Sequence, residues 1–126
     1  MNNIKKYVED LGIDSFESNI KIASIAVVSD LGDVIFQTEN WDLTNQMDII
    51  LRVIEGNTSF FFNNTEFSVV ETTSEGIIAT NNSGMGHLIF VRFQGGFLIS
   101  YAMPQADPIK ALSFLKNYAI KLNGKI

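Results

Sequence analysis

Cysteine is absent from this 126-residue chain. Its absence excludes disulfides, thiolate metal sites and a cysteine nucleophile, and it fits a reducing interior. Histidine occurs once, as His87. A metal site would then be mostly carboxylate, yet the acids are scattered over 8–10, 29–33, Glu71 and Glu75 and form no Asp-x-Asp-x-Asp loop. The only two prolines, Pro104 and Pro108, lie late in the chain, and no linker, repeat or low-complexity tract divides it. Charged residues are few, at 18 %, and the net charge of −5 argues against non-specific nucleic-acid binding by the surface as a whole. Long apolar runs are also missing. The best candidate, 87–103, is broken by Arg92, Gln94 and two glycines, short of the roughly 18 residues of a membrane span. "MNNIKKYVEDLG" has no apolar signal-peptide core. The expectation is a single domain over 1–126, cytoplasmic, without membrane span, cofactor or metal. The N-x-S/T triplets at Asn57, Asn63 and Asn81 are then chance.

What the chain does have is apolar: 46 % of its residues, including ten phenylalanines. Either the core is aromatic or another subunit covers part of the surface. Residues 3–11 read as a short helix with Ile4, Val8 and Leu11 on one stripe. Its lysines lie at the N-terminal end and its acids at the C-terminal end, against the helix dipole, so it needs a packing partner or it moves. "IKIASIAVV" (20–28) and "VIFQ" (34–37) read as strands joined by the turn "SDLGD", the first covered on both faces. Residues 44–55 form a second helix, capped by Asp42 or Thr44 and stopped at Gly56. Its core face carries Leu43, Met47, Ile50, Leu51 and Ile54, while Ile49 and Val53 fall outside that arc. A helix on one face of a sheet rarely needs so wide an apolar surface, so a loop, the first helix or a second subunit must cover the surplus.

Residues 59–103 are strand-rich, and "HLIFVRF-QGG-FLISYAM" is the clearest hairpin. A third helix starts with Asp107 as cap and Pro108 at its first position and stops at Gly124. On its flank Lys110 and Lys121 interleave with Phe114 and Tyr118, a surface suited to protein contact or to packing with snorkelling lysines. The fold class is α+β, a single antiparallel sheet of about five to six strands with helices packed on it, in the order α-β-β-α-β-β-β-α.

Two stretches invite chemistry. "TNNSGMGHLIF" (80–90) has the glycines of a phosphate loop, but they lead into a strand rather than a helix and no Lys-Ser/Thr follows. It reads as a flexible hairpin connection, and His87, lacking a recognisable partner for acid–base work, as a strand-end residue. Trp41 sits where the first hairpin hands over to the second helix and reads as a core plug rather than an exposed anchor. No catalytic set emerges, and no enzyme is expected.

The hairpin "IASIAVVSDLGDVIFQ", with Ser29, Asp30, Gly32, Val34 and Ile35 at the turn, the helix after it, and the terminal stretch Leu98 to Leu122 together resemble the roadblock/dynein light chain family, a relative of longin and profilin-like folds. The resemblance implies a non-catalytic homodimer, or a heterodimer with another roadblock-like chain, that regulates a small Ras-like GTPase or scaffolds an assembly. It would place the dimer interface at Ile49, Val53, Phe67 and Val69, with an edge strand near 67–72; the flank of Lys110, Phe114, Tyr118 and Lys121, read from the helix itself, is the candidate partner surface. The alternative is a profilin-like actin-binding module or small-ligand sensor using the 80–87 loop.

Overall fold

The computed structural model describes residues 4–39 and 41–125. The first helix, α1 (Ile4–Glu17), is longer than its sequence pattern suggests and runs through Gly12; its expected start at residue 3 lies outside the described residues. Ser15 explains the extension. Buried completely, its Oγ donates to the Gly12 carbonyl (2.9 Å) and accepts from the Ile22 amide (3.2 Å), tying the last turn to the next strand. That helix leads into the hairpin β1 (Ile22–Ser29) and β2 (Val34–Gln37). A 3₁₀ turn (Thr44–Gln46) and α2 (Met47–Ile54) replace the single helix expected over 44–55. Asp42 Oδ1 accepts from the Thr44 amide at 3.0 Å and starts that turn.

Five strands follow: β3 (Ser59–Phe62), β4 (Thr65–Thr72), β5 (Gly76–Thr80), β6 (His87–Phe93) and β7 (Gly96–Ala102), before α3 (Pro108–Leu122). Asp107 caps α3, its Oδ1 accepting from the Ile109 amide at 3.0 Å. All strands join one antiparallel sheet of seven in the order β2-β1-β7-β6-β5-β4-β3. The expected count of about five to six is too low, because "SFFF" and "GIIAT" are full members of the sheet. Asn63 and Asn64, both left-handed (φ 49° and 64°), make the tight turn that pairs β3 with β4.

This order corrects the edge-strand expectation. β4 is flanked on both sides, with Phe67 opposite Phe60 and Val69 opposite Ala79. The edges are β2 and β3.

Side chains alternate between two cores. Ile25, Val27, Ile89, Val91 and Leu98 face α1 and α3. Ala26, Val28, Leu88, Phe90 and Ile99 face α2. The sheet curls so that β3, four places beyond β7, closes on α2, and Phe60, Phe62 and Phe67 join the same core as Val28 of β1. The apolar surplus of α2 is thereby covered from within. Val53 is 1 % exposed and Phe67 2 %, while Ile49 and Val69 pack half-buried at the margin of that core.

Candidate functional site

Two surfaces singled out in the sequence have a defined shape. One is the β5–β6 connection, 81–86, which is pinned rather than flexible. Asn81 is 8 % exposed, and its side chain holds the loop on three sides. Its Oδ1 accepts from the amides of Ser83 (2.9 Å) and Met85 (3.0 Å), and its Nδ2 donates to the Glu66 carbonyl of β4 at 2.6 Å. From β7, the Tyr101 hydroxyl donates to the Met85 carbonyl at 2.6 Å. Gly86 is required there. Its φ is +107°, and a Cβ would stand 2.6 Å from the Tyr101 ring. The result presents Met85, 57 % exposed, at a rigid tip. Neither Asn81 nor Tyr101 stood out in the sequence, although Asn two residues ahead of Ser in a glycine-rich connection is the signature of an Asx turn.

His87 begins β6, opposite Thr80, whose Oγ1 lies 2.9 Å from its Nδ1. Partial burial lowers its pKa; the carbonyls of Pro104 and Ala106 and the Asp107 charge act in the other direction. Among the described residues no group of three or more His, Cys, Asp or Glu side chains could hold a metal. Trp41, 9 % exposed, is a core residue packed edge-on against Phe62 with ring centroids 5.6 Å apart.

The other surface is α3. Leu112, Leu115, Ala119 and Leu122 face the sheet. Phe114 and Tyr118, expected to face a partner, are half-buried at the seam with α1. Their rings are 5.3 Å apart, and the Tyr118 hydroxyl donates to Asp14 Oδ2 of α1. Burial, that hydrogen bond and the Asp14 charge push the Tyr118 phenol up to about 12. Lys121 lies over the Tyr118 ring, 4.4 Å from its centroid, as a snorkelling lysine would. Lys110 and Lys121 stay exposed, beside a stripe on which Ile109 and Ile120 are 59 % and 57 % exposed. Lys116, on the same stripe, pairs with Glu75 of the β4–β5 turn. α1, whose charges oppose its dipole, has its packing partners in β1 and α3.

No helix among the described residues is long and apolar enough to cross a membrane. No family model matches the sequence. Among characterised proteins, Loki profilin-2 of Lokiarchaeum sp. is 34 % identical over 110 residues, which span 79 % of this chain and 82 % of that protein. Among solved structures, LokiProfilin2 in its complex with rabbit actin superposes with a TM-score of 0.90 at 29 % identity, covering 100 % of this chain and 99 % of that one. LokiProfilin1 in complex with rabbit actin gives 0.86 at 31 % identity over 98 % of this chain and 96 % of the other.

These likenesses overturn the roadblock resemblance, and with it the homodimer, the heterodimer and the small GTPase partner. That resemblance rested on an element order, hairpin, helix, strands, terminal helix, that profilins also follow. The chain belongs to the profilin family, whose members are proteins without enzymatic activity.

Proposed function

We propose that this chain binds actin and has no chemistry of its own, with the outward stripe of α3 as the contact surface. One observation carries the reading: the chain matches, over its whole length and with a TM-score of 0.90, a profilin solved in complex with rabbit actin. The choice of surface rests on exposure. Ile109 and Ile120 lie about 20° apart around α3, counted at 100° per residue, with Ser113 and Lys116 on the same stripe and Lys110 and Lys121 farther round the helix. Exposed isoleucines on a rigid helix, interspersed with lysines, make a suitable protein-docking face. A cytoplasmic location belongs to the same reading.

The test is calorimetric titration of the purified chain into monomeric actin, with polymerisation followed in parallel. The wild type should bind with a saturable, stoichiometric isotherm. Ile109→Asp combined with Ile120→Asp should weaken binding by at least about tenfold while leaving the unfolding midpoint in place, because both side chains already face water. Absence of any binding by the wild type would refute the function. Unchanged affinity in the variant would refute only the surface.

A further inference from the structure

The α2 side of the sheet opens at one end into a cavity of about 290 Å³, walled by Trp41, Phe62, Met85 and Tyr101 and including Ser24 of β1 in its lining. Its polar groups are unusual. Ser24 is 5 % exposed and Trp41 9 %, and among the described residues neither the Ser24 hydroxyl nor the Trp41 indole N–H has a hydrogen-bond partner. Buried donors normally find one. The only described side-chain atom both sealed from solvent and unpartnered is Ser100 Oγ. The Ser24 and Trp41 donors therefore still reach open space, beside a cavity that both residues line.

The walls are preformed. Met85 is held in place by Asn81 and by the Tyr101 hydroxyl. Opposite it, Phe62 is fixed against Trp41 by their edge-on contact and by the Asn63-Asn64 turn that follows. Among the described residues no charged side chain lines the cavity, which disfavours phosphates and carboxylates. Its volume is at the small end of the range for small-molecule sites.

We propose that this cavity binds a small, uncharged, planar ring that carries a hydrogen-bond acceptor such as a carbonyl. The ring lies among Trp41, Phe62 and Met85, and the acceptor takes hydrogen bonds from the Ser24 hydroxyl and the Trp41 indole N–H. The site is independent of actin binding through α3, since the outward stripe of that helix contributes nothing to it.

Trp41 is the only tryptophan, so its indole N–H gives a single, assignable nuclear magnetic resonance signal in the ¹⁵N-labelled full chain. Benzamide, a ring with a carbonyl, is the probe. It should move the Trp41 indole and Met85 amide signals saturably and leave the Ile109 and Ile120 amides in place. Benzene, which lacks the acceptor, and acetamide, which lacks the ring, should each bind more weakly. Ser24→Ala, which removes one donor, should weaken benzamide by about three- to tenfold. The proposal is overturned if benzamide leaves the Trp41 indole unmoved up to its solubility limit, the outcome expected if water alone fills the cavity. It is equally overturned if benzene binds as tightly, or if folded Ser24→Ala binds benzamide like the wild type. Should Ser24→Ala not fold, the comparison of the three probes on the wild type decides.

Discussion

The two faces of the sheet solve the same problem by different means. One is covered by two helices of 14 and 15 residues, α1 and α3, and its buried side chains are aliphatic except for Phe93. The other is covered by an eight-residue helix, and its core holds Trp41, Phe60, Phe62, Phe67, Phe90 and Phe97. So short a helix spans about 12 Å, too little to close a seven-stranded sheet. The sheet curls over it instead, and aromatic rings, each burying roughly 150–250 Å², fill the larger gaps. A wide apolar arc on a helix therefore implies a partner subunit only where the sheet stays flat. Here the partner of Val53 is the far end of its own sheet.

The largest way to break that contrast is a charge in the aromatic core. Val53→Asp places an unpaired carboxylate where the side chain is 1 % exposed. It should cost more than about 4 kcal/mol, read as a collapse of the denaturant midpoint and loss of native Trp41 fluorescence. A surface role for Val53 predicts the opposite, a folded protein with an unshifted midpoint. Asp at Ile120, on the solvent side of α3, is the matched control and should shift the midpoint little.

A smaller effect is expected where the aromatic face meets its loop. Asn81→Ala deprives the Ser83 and Met85 amides and the Glu66 carbonyl of their partner. Groups left unsatisfied in partial burial should cost about 1–3 kcal/mol together. Amide exchange at Met85 should rise more than exchange in β6. Exchange that speeds up uniformly through the strands would mean the loop is not a separable unit.

How much of this was legible depends on which face is considered. Apolar alternation and caps are local signals, so β1, β6, β7 and α3 could be read directly, down to Asp107 as the cap. The expected end of α1 at residue 11 falls short, because what carries the helix on is Ser15 bonding across to Ile22, a tertiary contact invisible to periodicity. The curl is also non-local. Nothing in "SFFFNNTEFSVV" says that its phenylalanines close on residues 47–54 rather than on another chain. Phe114 and Tyr118 were correctly placed on one flank with Lys121, but only the approach of Asp14 from α1 turns that flank into a seam. Loop 81–86 looked flexible because glycine reports freedom, while Tyr101, the residue that removes it, lies two strands' length away in sequence.

The smallest prediction concerns the helical face at its margin. Thr80 and His87 lie on the same sheet face as Ile78 and Ile89, which pack beneath α1 and α3, and the carbonyls of Pro104 and Ala106 stand near the imidazole just before α3 begins. Burial lowers the His87 pKa below its ordinary 6.5. The unfolded chain therefore holds that proton more tightly than the folded one. The stability this residue contributes is complete above the unfolded value, declines as pH falls through it, and levels once the folded imidazole is protonated too. Protonation also fixes Nδ1 as the donor to Thr80 Oγ1, whichever neutral tautomer precedes it. His87→Gln should remove this component, so the loss of stability between about pH 7.5 and pH 5.5 becomes shallower than in the wild type. Denaturant midpoints at the two pH values, compared between the two proteins, measure it. Parallel pH profiles would show that the imidazole is as free to protonate in the folded chain as in the unfolded one, and that the margin of the helical face is open to water.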